Sequence, residues 1–232
     1  MFNIKTINNI SDKGLSRLPS DTYTINPDEE NPDAIILRSA KLHDMEIPAN
    51  LKAVGRAGAG TNNVPVERLG NEGIVVFNAP GANANAVKEL VIAGMLLACR
   101  NICQAWQYAA NVEGSDEEQE KAVEAGKKKF VGFELPGRTL GVIGLGAIGV
   151  EIANAAVALG MRVVGFDPTI TVRSAWKMSA EVEEMENVEE LLKQADFVTF
   201  HVPLIEATQN MLNTQRLAMM KNGSVILNFA RN

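Results

Sequence analysis

The feature that most constrains the fold is the stretch GVIGLGAIG, in which an apolar run leads directly into glycines at positions 144, 146 and 149. The spacing G-x-G-x-x-G between a strand and a helix is typical of dinucleotide binding. Its glycines allow a tight turn, close approach of the backbone to a pyrophosphate, and close packing of the helix on the strand. The N-terminus of that helix would face the phosphates. The stretch therefore predicts an α/β sheet with a phosphate-binding turn.

The second half of the chain alternates between strand-like and helix-like segments. Apolar runs and helical spacing succeed each other in the order TLGVIG, AIGVEIANAAVAL, RVVGFD, VEELLKQ, FVTFHVP, TQRLAMM and SVILNF. Near-continuous apolar strands joined by helices are typical of a doubly wound parallel sheet. We predict such a domain here.

The first hundred residues predict a second α/β unit with a mostly parallel sheet. Its strand candidates are FNIKTI, AIILRS, LKAVGR and GIVVFN, with helical segments between them. Residues 101–129 then change to a helical stretch, a charged segment and three lysines, which favour a solvated surface helix or loop. We therefore predict two α/β domains, over residues 1–100 and 101–232.

Charge and hydropathy disfavour a nucleic-acid or membrane partner. The chain has 22 Lys and Arg against 28 Asp and Glu, a net charge of −6, and generic nucleic-acid binders are basic. The longest apolar run, residues 90–99, is about half of the ~20 residues that a membrane span needs, so it predicts a core helix. The N-terminal residues lack a signal-peptide pattern, and a cytoplasmic location is the default expectation.

The two cysteines do not indicate a metal site or a disulfide. Cys99 and Cys103 are spaced i, i+4, which places them on one face of a predicted helix. No histidine lies nearby in the sequence. We expect two reduced thiols that pack as small hydrophobic groups.

Two residues at strand ends are candidates for the cofactor site. Asp167 ends the strand about twenty residues after Gly144, where a carboxylate can accept hydrogen bonds from ribose hydroxyls and repel a 2′-phosphate. This favours NAD over NADP. His201 ends another strand, and there a pocket wall or packing role is a better expectation than that of a general base.

A second glycine-rich stretch, GRAGAG, covers residues 55–60. Its spacing matches neither a P-loop nor a dinucleotide fingerprint. Exposed backbone N–H groups together with the guanidinium of Arg56 would suit a carboxylate or a phosphate. A glycine-rich turn with an exposed arginine is an equally open interpretation of this stretch alone.

Taken together, the sequence resembles the D-isomer-specific 2-hydroxyacid dehydrogenases, and within them the D-3-phosphoglycerate dehydrogenases most closely. The matching segments are AIILRSA, LKAVGRAGAGTNNV, VVFNAPGANANAVKE, the long run from Phe130 through GVIGLGAIG, FHVPL and MKNGSVILNFAR. The resemblance implies a flavodoxin-like substrate-binding domain, interrupted by a Rossmann NAD-binding domain that is incomplete at its C-terminus. From the residues we expect no metal and no nucleic-acid or membrane partner, and the resemblance implies a homodimer formed through the dinucleotide domain.

The resemblance also assigns residues to NAD. It implies that the cofactor contacts Gly144, Gly146, Ala147, Ile148 and Gly149 at the pyrophosphate, Asp167 at the ribose, Val202 and Pro203 on the adenine side, and Ala79, Phe229, Ala230 and Arg231 along the nicotinamide.

On the substrate side, the resemblance implies that N–H groups around Ala59 and Gly60 bind the carboxylate and that Arg56 binds a phosphate. Arg231 resembles the family's catalytic arginine. The family's catalytic histidine and its orienting glutamate would lie beyond Asn232, so this chain is expected to be a truncated and inactive piece of the enzyme. Asn232 and Lys88 depart from the family pattern, which has glycine and a small residue there.

The implied activity is the NAD-dependent oxidation of 3-phospho-D-glycerate, the first step of serine biosynthesis. A hydride would leave C2 for the nicotinamide, the alcohol proton would go to the histidine, and the arginine would balance charge at the oxygen. Two alternatives remain open: a reductase of glyoxylate, hydroxypyruvate or another small 2-keto acid, and a non-catalytic NAD-sensing interaction module. Trp106 and Tyr108 are candidates for the dimer interface, and internal packing is equally open for them.

Overall fold

A computed structural model describes residues 1–230 of the chain. They form two compact units, the first from Met1 to Asn83 and the second beginning at Ala84. Each unit is built on its own five-stranded sheet in which every strand pair is parallel. The prediction of two tandem α/β units is confirmed.

The first unit has the strand order of flavodoxin-like folds. Its elements are β1 (Phe2–Ile7), α1 (Asp12–Leu15), β2 (Tyr23–Ile25), β3 (Ala34–Leu37), β4 (Ala53–Arg56), α2 (Val66–Asn71) and β5 (Val75–Asn78). The sheet order is β2-β1-β3-β4-β5, the 2-1-3-4-5 arrangement of doubly wound folds. Ile35, Leu37 and Val54 are fully buried on one face of the sheet, where they form a core with Leu69 of α2.

The second unit has the remaining elements. They are α3 (Ala84–Arg100), α4 (Ile102–Ala110), α5 (Asp116–Gly126), a 3₁₀ turn (Lys127–Phe130), β6 (Thr139–Ile143), α6 (Ala147–Ala158), β7 (Arg162–Phe166), α7 (Val172–Ala175), β8 (Val182–Glu184), α8 (Val188–Gln194), β9 (Phe197–Phe200), a 3₁₀ turn (Glu206–Thr208), α9 (Thr214–Leu217) and β10 (Val225–Asn228). The sheet order is β10-β9-β6-β7-β8. This is the predicted doubly wound order, with the chain reversing its direction of progress at β6.

Alternation along β6 builds a separate core on each face of the second sheet. Leu140 and Val142 belong to one core, and Ile143 belongs to the other. On the latter face α8 approaches so closely that a β-carbon at Gly141 would lie 2.4 Å from a methyl carbon of Leu191. All five residues of β6 are buried, which explains why the strand reads as a continuous apolar run.

The boundary between the units lies before α3, whereas the sequence predicted it near residue 100. Helix α3 packs against α6 and β10 and therefore belongs to the second unit. It buries Val91, Met95 and Cys99 in the core that contains Leu140, so the prediction of a core helix over residues 90–99 is confirmed. No helix within residues 1–230 has the length and apolar character needed to cross a membrane.

The prediction that the two cysteines share a helix face is wrong. Helix α3 ends at Arg100, Asn101 takes a left-handed conformation with φ of 51°, and α4 starts at Ile102. Cys99 is consequently buried while Cys103 is exposed. Asparagine tolerates this conformation better than most residues do, and its position there could have marked the break.

Helix α5 is the predicted solvated charged helix, and it encloses one of the two candidate interface aromatics. The Tyr108 hydroxyl donates to the carbonyl of Ala122 at 2.9 Å, and a β-carbon at Gly126 would lie 2.3 Å from the Tyr108 ring. Tyr108 therefore packs internally. Trp106, on α4, is 72% exposed.

Candidate functional site

The glycines after β6 leave open space at one position and none at the other two. Gly144 has φ of +93°, and a β-carbon there would lie 2.8 Å from the carbonyl oxygen of His201. A β-carbon at Gly149 would lie 1.9 Å from the carbonyl oxygen of Gly144. A β-carbon at Gly146, in contrast, would have no heavy atom within 4 Å of it. This is the arrangement that close approach of a pyrophosphate to the backbone requires.

The helix that follows presents its N-terminus at this open space. Gly146 is the N-cap residue, α6 begins at Ala147, and both residues are exposed. Ile148 is half-buried against the core. The first N–H groups of a helix have no intrahelical acceptor and carry partial positive charge. The turn and this helix end therefore fit the diphosphate of a dinucleotide.

Asp167 anchors the glycine turn as well as ending β7. Its Oδ2 accepts a hydrogen bond from the N–H of Leu145 at 2.8 Å, and its Oδ1 accepts from the N–H and the hydroxyl of Thr169 at 2.9 and 3.1 Å. A carboxylate has about four acceptor positions, so there is capacity left for a ribose hydroxyl. The Thr169 contact is a local Asp turn that sequence could have suggested. The Leu145 contact is non-local and was missed.

His201 is a wall of the glycine turn and not a free base. Its Nε2 lies 2.8 Å from the hydroxyl oxygen of the fully buried Thr199, and its carbonyl limits the space at Gly144. Burial lowers the pKa of His201 to about 4, so the imidazole is neutral near pH 7. This placement agrees with the structural role that the sequence favoured for it.

A cavity of about 270 Å³ lies at the carboxyl ends of β9 and β10. It is lined by three residues that were predicted to contact the cofactor, Val202, Pro203 and Ala230, and by others that include Phe200, Leu204, Thr208, Asn210, Met211, Leu212, Ile226 and Asn228. The Thr208 hydroxyl accepts from the N–H of Ile205 and donates to the carbonyl of Pro203. Thr208 and Asn228 are polar lining residues that sequence reasoning missed.

The Phe229 ring faces helix α3. A β-carbon at Gly94 would lie 3.5 Å from the Phe229 ring and 3.1 Å from a methyl carbon of Leu227. The ring is thus a packing group that fills the space left by a glycine. The predicted contact of Phe229 with the nicotinamide would therefore be made by its main-chain atoms.

In the first unit, Arg56 is buried and folds over its own loop. It is the last residue of β4 and only 6% exposed. A β-carbon at Gly58 would lie 1.8 Å from Nη1 of Arg56, so glycine is required there for the guanidinium to fit. The interpretation of this stretch as a turn with an exposed arginine is wrong.

The loop after Arg56 is held by β5 and the residue that follows it. The N–H of Ala79 donates to the carbonyl of Gly58 at 2.9 Å, and Nδ2 of Asn78 donates to the carbonyl of Ala59 at 2.7 Å. In a trans peptide the N–H points opposite to the preceding C=O. The N–H of Ala59 therefore points away from Ala79, and the N–H of Gly60 points away from the amide of Asn78.

Asn8 closes the gap between β1 and β3 in the same unit. It has φ of 69°, and its Oδ1 accepts hydrogen bonds from the N–H groups of Ser39 and Ala40, both at 2.9 Å. The loop after β3 is thereby fixed to the end of β1.

The remaining predicted residues are placed as follows. Ala79 lies in the first unit, and its assignment to the cofactor stays a prediction. Arg231 and Asn232 lie outside the described residues. Lys88 pairs with Glu151 at 3.7 Å, which joins α3 to α6. Within residues 1–230, no group of three or more acidic, histidine or cysteine side chains is arranged to hold a metal ion.

Burial of neutral His201 predicts a pH dependence of stability. Because the folded-state pKa of about 4 lies below the ordinary value of 6.5, the unfolded chain binds the additional proton. The free energy of unfolding therefore has its full value above pH 6.5. It falls by up to roughly 3 kcal/mol as the pH is lowered toward 4, because the proton binds preferentially to His201 of the unfolded chain. Urea unfolding at pH 4.5, 5.5 and 7 should show a smaller loss for His201→Gln than for the unmodified chain. Equal losses in both would contradict the assignment.

Substitutions of Gly146 and Gly149 should cause two different kinds of defect. Gly146→Ala should leave the melting temperature unchanged, because its β-carbon enters open space, yet it should weaken NAD binding at least tenfold by occupying the room for the pyrophosphate. Gly149→Ala should lower the melting temperature, because its β-carbon overlaps a backbone carbonyl. Calorimetric titration and thermal melts of both variants would check this. Unchanged NAD affinity in Gly146→Ala would remove the turn from the site.

Residues 92–232 match the NAD binding domain of D-isomer specific 2-hydroxyacid dehydrogenase. The chain is 40% identical over 202 residues to a D-3-phosphoglycerate dehydrogenase of Methanocaldococcus jannaschii, covering 86% of this chain and 36% of the relative. It is 38% identical over 203 residues to a hydroxypyruvate reductase of Thermotoga maritima, covering 86% of this chain and 60% of the relative.

Among solved structures, the TT0316 protein of Thermus thermophilus is 27% identical with a TM-score of 0.79, and the match covers 99% of this chain and 74% of that one. The chain thus spans about a third of the length of the phosphoglycerate dehydrogenase and under two thirds of the reductase. The fit of the glycine turn to a dinucleotide and the match over residues 92–232 lead to one conclusion: the chain belongs to the D-isomer specific 2-hydroxyacid dehydrogenase family, and its second unit contains that family's NAD-binding domain.

Proposed function

We propose that the chain is part of an NAD-dependent enzyme that oxidises 3-phospho-D-glycerate to 3-phosphohydroxypyruvate. The observation that carries the proposal is the glycine turn of the second unit, with open space at Gly146 beside the N-terminus of α6. The similarity to a phosphoglycerate dehydrogenase supports the choice of substrate. In this proposal the first unit binds the substrate and the second unit binds NAD.

The second unit would hold NAD along the carboxyl edge of its sheet. The N–H groups of Ala147 and Ile148 bind the pyrophosphate, Asp167 accepts from the ribose, and Val202 with Pro203 lines the adenine side. The main chain at Phe229 and Ala230 is assigned to the nicotinamide side. NAD supplies the hydride acceptor, and the protein orients it and excludes water from it.

The first unit would hold the substrate by its two negative groups. The N–H groups of Ala59 and Gly60 bind the carboxylate, and Arg56 binds the phosphate. A guanidinium that is withdrawn from water interacts more strongly with an anion than an exposed one, and Arg56 is largely withdrawn. Arg231 carries the proposed catalytic role of polarising the carbonyl and balancing charge at its oxygen.

A reductase acting on hydroxypyruvate or glyoxylate is the second candidate. Similarity to the hydroxypyruvate reductase of Thermotoga maritima favours it, and such substrates lack the phosphate that Arg56 would bind. Discrimination between the two candidates therefore depends on Arg56. A non-catalytic NAD-binding role would show NAD binding with no response to either acid.

We also propose that the chain forms a homodimer through its second unit. Ile102 and Trp106 are spaced i, i+4 on α4 and are both exposed, so they present one apolar face. Tyr108 is excluded from that face because it packs beneath α5.

The position of Asp167 predicts a preference for NAD over NADP. Asp167→Ala should weaken NAD binding by roughly 1 to 3 kcal/mol, the scale of hydrogen bonds to a charged acceptor. Asp167→Asn should keep a hydrogen-bond acceptor while removing the charge that repels a 2′-phosphate. This variant should therefore show a smaller preference for NAD over NADP. Calorimetry with both cofactors measures this, with Glu183→Ala, in the surface ion pair with Arg162, as control. NADP binding as tight as NAD binding in the unmodified chain would refute the assignment.

The proposed role of Arg56 predicts that substituting it weakens binding of the substrate's phosphate group. Arg56→Lys, which keeps the charge but loses the two-pronged donor, and Arg56→Ala should each weaken binding of 3-phospho-D-glycerate about tenfold or more. Binding of D-glycerate should weaken less than binding of 3-phospho-D-glycerate, because Arg56 also packs against the loop that would bind the carboxylate, and NAD affinity should stay within about twofold. Arg68→Ala is the matched control, because Arg68 lies on α2 and pairs with Glu72. Equal losses for phosphorylated and unphosphorylated acids would favour the reductase.

A further inference from the structure

Two side chains brace the glycine-rich loop of the first unit from neighbouring strands. Arg56 of β4 and Asn78 of β5 are partners in the strand register, and partners on adjacent parallel strands point to the same face of a sheet. Arg56 lies against Gly58. Nδ2 of Asn78 donates to the carbonyl of Ala59 at 2.7 Å. The loop is thus supported residue by residue from the sheet beneath it.

The two proposed carboxylate-binding N–H groups are oriented by different means. The peptide that carries the Ala59 N–H is held through the carbonyl of Gly58, which accepts from the main-chain N–H of Ala79. The peptide that carries the Gly60 N–H is held through the carbonyl of Ala59, which accepts from the side chain of Asn78. A substitution at position 78 therefore acts on one of the two N–H groups and leaves the main-chain support of the other in place.

We propose that Asn78 is a positioning residue that aims the N–H of Gly60 at the substrate carboxylate, an inference that rests on the proposed function of the Ala59–Gly60 loop. Asn78 does not touch the carboxylate in this arrangement. It fixes the peptide plane between Ala59 and Gly60, so that the N–H points outward before the substrate arrives. Ordering that peptide in advance removes an entropic cost from binding.

The chemistry at position 78 is specific to an amide. The side chain must donate to a carbonyl, and a carboxylate cannot donate. An aspartate at this position would repel the Ala59 carbonyl and favour rotation of the peptide. Rotation would turn a carbonyl oxygen toward the bound anion, so Asn78→Asp should be more damaging than Asn78→Ala. Asn78 is exposed, so neither variant leaves a buried cavity.

The test follows individual backbone amides of the ¹⁵N-labelled chain by NMR during titration with glyoxylate. In the unmodified chain, the amide signals of Ala59 and Gly60 should both shift to saturation. In Asn78→Ala, the Gly60 shift should fall by half or more, the Ala59 shift should persist, and the Kd for glyoxylate should rise about fivefold, the scale of one hydrogen bond. In Asn78→Asp, the Kd should rise further.

Asn26→Ala is the matched control, because Asn26 is also in the first unit and makes a local side-chain contact with the N–H of Asp28. It should bind glyoxylate as the unmodified chain does. Thermal melts establish that all variants fold.

The outcomes separate the inference from the proposed function. Shifts of Ala59 and Gly60 that are the same in Asn78→Ala as in the unmodified chain would overturn the role of Asn78 and leave the carboxylate site standing. Loss of both shifts together in Asn78→Ala would also overturn it, because the main-chain support of Ala59 would then be insufficient. If glyoxylate shifts neither amide of the unmodified chain, the proposed carboxylate site is wrong, and the inference falls with it.

Discussion

The second unit depends on the contact between Gly149 and the carbonyl of Gly144. With no β-carbon at position 149, helix α6 can begin almost in contact with the end of β6. This closeness sets where the helix N-terminus lies and leaves the space above Gly146 open. Asp167 then ties the turn to the neighbouring strand through Leu145. The dinucleotide site is therefore a consequence of helix–strand packing, and its polar groups are secondary to that packing.

The first unit reaches a similar end by different contacts. Its glycine-rich loop does not run directly into a helix, since α2 begins only at Val66. The loop is held instead by hydrogen bonds that its carbonyl groups accept from Asn78 and Ala79. Arg56 packs against Gly58 of this loop and is largely shielded from water. Under the proposed function, the two units would offer N–H groups to anions in two ways, one through a helix end and the other through a braced loop.

Features that are local or periodic could be predicted from the sequence. Continuous apolar runs identified β6 and β9, which are buried on both faces, and the glycine spacing identified the turn. The short strands β2 and β8 were missed because each has three residues and no apolar run. Their position is set by pairing with β1 and β7, which is tertiary information.

The candidate site was predicted less completely, because several of its contacts join distant parts of the chain. The bonds from Leu145 to Asp167 and from Asn78 to Ala59 connect residues about twenty positions apart, and no spacing rule describes them. The packing of the Arg56 guanidinium depends on the absence of a β-carbon at Gly58. Asn101 shows the opposite case, since one residue with left-handed preference ended a helix that periodicity alone would have continued.

The side chain of Asn8 has a consequence for how the first unit can be used. In the 2-1-3-4-5 strand order, the crevice between β1 and β3 is where a ligand such as FMN commonly settles. Here Asn8 accepts hydrogen bonds from the N–H groups of Ser39 and Ala40 in the loop after β3, so these two donors are already engaged within the chain. At that crevice, a side chain of the protein itself therefore satisfies these two N–H groups. Under the proposed function, recognition in this unit lies instead at the loop after β4, the strand next to β3.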